Sequence, residues 1–110
     1  MFFTHRLILV EGIEDVAYTN AWLTLTDRMQ DFRRTGCHLV PVNGKEYLAR
    51  PAIIAEQMRI PVYVIFDADT DREHERDGHH HLKDNTALLR LLGGDQNAPF
   101  PTETIWGARY

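Results

Sequence analysis

Two short apolar runs, each followed directly by acidic residues, dominate the pattern of this chain. The first is Leu7–Val10, which precedes Glu11, and the second is Val62–Phe66, which precedes Asp67. Both runs are continuous and rich in β-branched, aromatic or leucine side chains, which is typical of short buried strands. The stretches between and after them have helical spacing, so the pattern predicts strands that alternate with helices.

Glycine, asparagine and proline mark the ends of the predicted elements. Gly36 follows the first long helical stretch, Asn43-Gly44 follows the second strand, and Pro51 marks a boundary or kink in the second helical stretch. The polar stretch Arg72–His81 predicts an exposed loop. The predicted strands are Arg6–Val10, His38–Val42, Val62–Phe66 and Thr104–Tyr110; the predicted helices are Glu14–Arg34, Glu46–Met58 and a third from an N-cap at Asp84 or Asn85 to Leu92.

This alternation predicts an α/β fold with a mainly parallel four-stranded sheet and helices on both faces. The length of 110 residues suits one domain, so residues 1–110 are expected to form a single unit. The first helix carries an apolar stripe that predicts a core-facing side. The members of that stripe are Val16, Ala17, Trp22, Leu23, Leu25, Met29 and Phe32.

The composition says more about the cellular location of the protein than about its function. Cys37 is the single cysteine, so no internal disulfide forms, which fits a reducing, cytoplasmic location. No apolar stretch has the length of a signal peptide or of a membrane span. The formal net charge of −4 argues weakly against a free-standing nucleic-acid binder. Cations bound by the acidic residues would weaken this argument from net charge, because the bound cations would face the phosphates of a nucleic acid.

The acids that follow the two apolar runs are the candidate functional residues. In an open α/β sheet, ligands bind beyond the carboxyl ends of the strands. If the two strands are parallel neighbours, their acids converge at one rim, where carboxylates repel one another unless a cation or protons neutralise them. Mg²⁺ or Mn²⁺ is the ion expected at this rim, because both prefer oxygen ligands. The candidate ligands are Glu11, Asp15, Asp67, Asp69 and Asp71.

A purely structural interpretation of the same acids stands beside this one. An acid at a helix start, such as Asp15, is commonly a cap that complements the helix dipole. Asp67 and Asp69 share a face if the backbone there is extended, and Asp71 continues that face only if the chain stays extended. Polar residues after a strand are otherwise an ordinary loop.

The two acidic segments together resemble the motifs of the Toprim domain, a module of topoisomerases, primases and certain nucleases. Leu9–Val16 resembles its first motif, and Phe66–Asp69 resembles its second, an Asp-x-Asp after a later strand. Val40–Lys45 and Arg59–Val62 are similar to the Toprim domains of the overcoming-lysogenisation-defect (OLD) nucleases. The resemblance covers nearly the whole chain and implies a compact four-stranded parallel sheet.

The resemblance also implies a function, namely metal-dependent nicking or cleavage of DNA. By position, Glu11 would be a metal ligand and general base, with Asp15, Asp67 and Asp69 as further ligands and Asp71 as an additional one. The cofactor would be Mg²⁺ or Mn²⁺. Counterparts of the acidic and basic residues that OLD-type domains use beyond the third strand are Glu103 and Lys83.

Lys45 is a further candidate for the catalytic group, because it follows the Asn43-Gly44 turn after the second strand. There it would touch a phosphate, or it is a plain surface lysine. In OLD proteins the module follows an ATPase domain, and this chain has no phosphate loop of its own. The expected partners are therefore DNA, an ATPase domain in the same or a partner chain, and a second copy in a homodimer; no membrane is expected.

Other functions remain open alongside the nuclease. A signalling receiver domain also places acids after its first strand and an aspartate after its third, and it would accept a phosphoryl group on Asp67. A degenerate Toprim would serve assembly alone. A haloacid-dehalogenase-type phosphatase is disfavoured, because its Asp-x-Asp lies on the first strand.

The three adjacent histidines His79–His81 could suggest a zinc site. Adjacent histidines rarely all reach one ion, so a solvated loop is favoured.

Overall fold

The computed structural model describes residues 6–72, 74 and 78–110. Within the chain, contacts separate two compact units, Met1–Ile65 and Phe66–Tyr110. The first unit contains the sheet, and the second contains the longest helix. The prediction of a single domain stays a prediction. Part of the predicted loop Arg72–His81, at positions 73 and 75–77, lies outside the described residues. None of the helices in the described part of the chain is long and apolar enough to cross a bilayer.

The first unit is built on a three-stranded parallel sheet. Its elements are β1 (Arg6–Val10), α1 (Ile13–Leu25), α2 (Met29–Arg34), β2 (Cys37–Pro41), α3 (Ala49–Gln57) and β3 (Val62–Ile65). The strand order is β2-β1-β3. Helix α1 packs on β1 and β2, α2 packs on β2, and α3 packs on β3. A 3₁₀ turn, Lys45–Tyr47, lies between β2 and α3.

The strand register brings all three strands to an end at the same edge of the sheet. Val10, the last residue of β1, is paired with Pro41 of β2 and with Ile65 of β3. The three predicted strands of this unit are confirmed to within a residue or so at each end. The expectation that β1 and β3 are parallel neighbours is confirmed as well.

The prediction of one helix over Glu14–Arg34 is wrong, because the chain forms α1 and α2 with a break between them. Asp27 adopts a left-handed conformation with φ of 57°. The N–H of Asp27 donates to Thr24 O at 3.2 Å, and that of Arg28 donates to Leu23 O at 2.8 Å. This is the pair of bonds with which a glycine ordinarily closes a helix. Here an aspartate takes the glycine's place, and therefore the break was not predicted from the sequence.

The apolar stripe of the first helix is mostly not core. Leu23 is the buried residue of α1, whereas Trp22 is 45% and Leu25 86% exposed. The break at Asp27 interrupts the helical spacing between α1 and α2, so the stripe does not continue along one helix face. The buried apolar side chains of the first unit come mainly from the strands and from α3: Leu9, Val10, Leu23, Leu48, Ala52, Ala55 and Val64.

Replacing Leu9 with alanine is expected to lower the free energy of unfolding by about 3 kcal/mol, because Leu9 is fully buried on the central strand. The matched control is Leu25→Ala, which removes the same atoms from an 86% exposed side chain. That control should change the free energy of unfolding by less than ~0.5 kcal/mol. Urea unfolding followed by circular dichroism measures both. Equal losses of free energy of unfolding in the two variants would contradict the burial of Leu9 and the exposure of Leu25.

The second unit contains a 3₁₀ turn, Thr70–Arg72, and a long helix, α4 (Gly78–Leu92), with Leu88, Leu89 and Leu92 buried. The predicted loop therefore ends earlier than expected, since α4 already includes the three histidines. The predicted N-cap at Asp84 or Asn85 is wrong for the same reason.

The predicted fourth strand, Thr104–Tyr110, is wrong. This segment lies within the described residues and has no strand; the backbone bends at Ala108, and Gly107 N–H donates to Tyr110 O at 2.9 Å. A bend at this place interrupts the extended backbone that a strand needs. The described residues therefore form an α/β fold with three parallel strands rather than four. That helices cover both faces of the sheet stays a prediction.

Candidate active site

Glu11 follows β1 directly and is fixed through its backbone. The loop after β2 is hydrogen-bonded to the end of β1, because Val42 N–H donates to Val10 O at 3.1 Å and Gly44 N–H donates to Glu11 O at 3.0 Å. Gly44 has φ of 143°, and a Cβ at this position would lie 2.9 Å from the Glu46 carboxylate. Glycine is therefore required where the loop meets Glu11. The predicted turn at Asn43-Gly44 is confirmed.

Lys45, the next residue, is buried with 5% of its surface exposed. The alternative of a plain surface lysine is therefore wrong. A lysine is seldom buried to this degree, since its ammonium group loses hydration. The peptide N–H that donates to Glu11 O belongs to the residue immediately before Lys45, so the turn places the backbone of Lys45 close to that of Glu11.

Asp15 lies in the first turn of α1, where its carboxylate closes the helix start. Its Oδ2 accepts a hydrogen bond from Gly12 N–H at 3.0 Å, and the side chain is exposed. This geometry agrees with the structural interpretation, in which an acid at this position caps the helix. A role as metal ligand stays a prediction.

In the second unit, the Asp-x-Asp segment is a turn and not the extended backbone in which its two acids would share a face. Asp67 Oδ1 accepts a hydrogen bond from Asp69 N–H at 2.9 Å, and Asp69 has φ of 52°. A side chain that binds the backbone two residues ahead forms an Asx turn, which competes with extended structure. The expectation that Asp67 and Asp69 share one extended face is therefore wrong. Asp71 is exposed within the 3₁₀ turn, so it does not continue such a face.

Two residues of α4 hold this turn, a role that the sequence pattern did not predict for either of them. His81 Nδ1 lies 3.2 Å from Asp69 Oδ2. Asn85, which is fully buried, donates from Nδ2 to Ala68 O at 2.7 Å and to Pro99 O at 2.9 Å. A spacing of four residues puts His81 and Asn85 on one side of the helix, which was the available signal. It was hidden because this stretch was predicted to be a loop.

The family of this chain is shown by a family model whose matched stretch contains both acidic motifs. The family model described as "Overcoming lysogenization defect protein-like, TOPRIM domain" matches residues 2–69. The chain belongs to this family. The matched stretch contains β1 to β3 and both acidic motifs, which confirms the predicted resemblance. Family membership suggests a nuclease-type Toprim function, and Toprim domains generally bind divalent metal ions. No curated protein and no solved structure matches the chain.

The donor chemistry of this Toprim domain suits a hard cation, because the candidate ligands offer carboxylate oxygens throughout. Among the described residues, no three His, Cys, Asp or Glu side chains form a group able to hold a metal ion. Two of the carboxylates instead bind backbone N–H groups, those of Gly12 and Asp69. The donor type therefore fits the metal, and the metal site itself stays a prediction.

The structure says less about the remaining candidate site residues of the Toprim domain. Lys83 is exposed on α4, and Glu103 is exposed in the segment that follows it. Neither position lies within the matched stretch. His79 and His80 lie at the start of α4 with ring centroids 3.9 Å apart. Their place in a helix corrects the predicted solvated loop.

Proposed function

We propose that this chain is a metal-dependent nuclease domain that nicks or cleaves DNA by hydrolysing phosphodiester bonds. One observation carries the proposal. β1 and β3 are adjacent parallel strands whose last residues, Val10 and Ile65, are register partners. Each acidic motif of the family follows one of these strands in the sequence. This is the end of a parallel sheet at which α/β proteins bind their ligands.

The proposed metal ligands are Glu11, Asp15, Asp67 and Asp69, with Asp71 as an additional ligand and Mg²⁺ or Mn²⁺ as the cofactor. When bound, such an ion supplies Lewis acidity and a nucleophilic water at neutral pH. Glu11 is the proposed general base, which takes a proton from the attacking water. Its backbone hydrogen bond to Gly44 N–H fixes the position from which the carboxylate acts.

Lys45 is proposed to bind a phosphate oxygen of the DNA. Lys45 as a whole residue is 5% exposed, and a charge in a buried environment is screened less by water, so its field on a nearby phosphate is stronger than that of a surface lysine. The net charge of −4 leaves the protein without a general attraction for DNA. A local cation and bound metal ions would supply that attraction.

The direct test uses the 110-residue chain and supercoiled plasmid DNA with Mg²⁺, Mn²⁺ or EDTA. We expect nicked and linear products with either ion and none with EDTA, together with Mn²⁺ binding measured by calorimetry. Absence of Mn²⁺ binding would contradict the nuclease and favour a Toprim that serves assembly alone. Covalent labelling of Asp67 by a small phosphoryl donor would contradict it in favour of a receiver domain.

The partners are part of the same proposal: DNA, an ATPase domain in the same or a partner chain, and a second copy of the chain. Light scattering coupled to gel filtration tests the second copy. We expect a dimer mass in the presence of DNA and metal. A monomer mass under those conditions would contradict the homodimer without affecting the nuclease.

Replacing Lys45 with methionine is expected to lower the cleavage rate about 10²-fold, because the phosphate loses one preorganised charged donor. Methionine keeps most of the apolar stem, which limits the loss of packing. The matched control is Arg90→Met, which removes an exposed basic side chain of α4 and should leave the rate unchanged within about twofold. Single-turnover cleavage of a labelled duplex measures both rates. Equal losses would point to bulk electrostatics, and so against a specific role for Lys45.

A further inference from the structure

We propose that one side of α4 positions the second acidic motif, with His81 holding the Asp69 carboxylate and Asn85 holding the backbone of Ala68. The inference rests on the proposed metal-dependent nuclease, since it assigns positioning residues to that site. Both residues lie beyond the stretch that matches the family, which ends at residue 69. Nothing in the family match therefore assigns them a role.

Asn85 supplies the first part of the argument, because its whole environment is protein. The side chain is 0% exposed, and its amide group donates to two carbonyl oxygens, Ala68 O at 2.7 Å and Pro99 O at 2.9 Å. A buried amide that lost such partners would be strongly destabilising, so this geometry is held tightly. Asn85 therefore ties the central residue of the motif to the segment that follows α4.

Thr70 makes a second connection between the same two segments. Its Oγ1 donates to Pro101 O at 2.8 Å. The motif is thus bound to the stretch 99–101 at two points, Ala68 through Asn85 and Thr70 directly. With the ends of the turn held in this way, the left-handed backbone of Asp69 is maintained.

His81 supplies the part of the argument that concerns a functional side chain. It lies one helical turn before Asn85, and its Nδ1 is 3.2 Å from Asp69 Oδ2. Both side chains are partly buried, with 17% and 22% of their surfaces exposed. The contact fixes which way the Asp69 carboxylate is directed, while the N–H of Asp69 binds Asp67 Oδ1. One side of α4 therefore contacts Asp69 directly and is connected to Asp67 through the N–H of Asp69.

A residue that orients a metal ligand affects metal affinity without touching the metal. Loss of such an outer-shell contact ordinarily costs 10–100-fold in affinity. His81→Leu should therefore weaken Mn²⁺ binding by about that factor. His81→Asn should restore binding, because the amide nitrogen of asparagine occupies the place of Nδ1. The control His80→Leu alters the exposed neighbouring histidine and should leave the affinity unchanged.

The experiment combines two measurements on these three variants of the 110-residue chain. The first is Mn²⁺ affinity by electron paramagnetic resonance, and the second is hydrogen exchange of the Asp69 amide in metal-free protein. We expect His81→Leu to speed that exchange about tenfold, since the turn opens more readily, with His81→Asn and His80→Leu close to the unmodified chain. Asn85→Asp, which loses an amide donor, should speed it further.

Several outcomes would overturn the inference. One is that His81→Leu and His80→Leu have the same effects in both measurements. Another is that Mn²⁺ affinity follows the melting temperature across all variants, which would show a merely structural role. If the unmodified chain binds no Mn²⁺, the nuclease proposal fails, while the exchange of the Asp69 amide still decides whether α4 holds the motif. If Asn85→Asp does not fold, the His81 variants decide the question alone.

Discussion

Replacing Glu11 with glutamine is expected to lower metal-dependent DNA cleavage by about 10³-fold, which corresponds to ~4 kcal/mol of transition-state stabilisation. Glutamine has nearly the size and shape of glutamate but carries no charge and accepts no proton at neutral pH. The variant therefore removes both proposed roles of this side chain, metal ligand and general base. The cleavage rate at saturating Mn²⁺ and the Mn²⁺ affinity are the quantities to measure.

The fold is expected to survive this substitution, because the structure holds Glu11 through its backbone. Its carbonyl accepts the Gly44 N–H, and β1 is paired on both sides up to Val10. The free energy of unfolding should change by less than about 1 kcal/mol. Glu14→Gln is the matched control, since Glu14 is exposed three residues further along and should tolerate the change. Unaltered cleavage by Glu11→Gln would remove the basis of the nuclease proposal.

The strands of the first unit were predictable because their pattern is local. Val62–Ile65 is a run of β-branched and aromatic residues, and Asn43-Gly44 is a turn whose backbone angles only a few residue types adopt readily. The parallel pairing of β1 with β3 followed from the alternation with helices. The helix break at Asp27 was not predictable in this way, because an aspartate in a helical stretch ordinarily indicates an exposed side.

The second unit was predicted less well, since its structure depends on contacts that are distant in sequence. Asn85 looks like a helix cap next to Asp84, but it is buried against carbonyls 14 and 17 positions away. The histidine-rich stretch looks like a solvated loop, but it starts α4. The segment Thr104–Tyr110 has apolar and aromatic residues at strand-like spacing, yet Ile105 and Trp106 are 51% and 76% exposed.

The candidate site, like the fold, has features that were predictable from the sequence and features that were not. The order of the two acidic motifs and their place after β1 and β3 were predictable, because they follow from the position of the strands. The shape of the Asp67–Asp69 segment was not, since alternation of acids with alanine fits both an extended strand and an Asx turn. The burial of Lys45 was equally inaccessible, because a single lysine after a turn carries no local sign of its surroundings.

The Asx turn at Asp67 allows the charge of this residue to be separated from its hydrogen bond. Asp67→Asn keeps an oxygen that accepts the Asp69 N–H, so the turn should persist, but it removes the negative charge from a proposed ligand. We expect cleavage to fall about 10³-fold with little change in the free energy of unfolding of the metal-free protein. Asp67→Ala removes both properties, and should in addition lower the free energy of unfolding by about 1 kcal/mol.

Asp95 offers a matched control, because it forms the same kind of turn outside the motif. Its Oδ1 accepts a hydrogen bond from Asn97 N–H at 2.9 Å, the same distance as at Asp67. Asp95→Asn and Asp95→Ala should affect stability as the Asp67 pair does, without any effect on Mn²⁺ affinity or cleavage. If Asp67→Asn retains full Mn²⁺ affinity while Asp67→Ala loses stability, then the carboxylate of Asp67 serves only to shape the turn. Asp67 would in that case contribute backbone geometry to the domain, and the metal would have to be bound without its carboxylate.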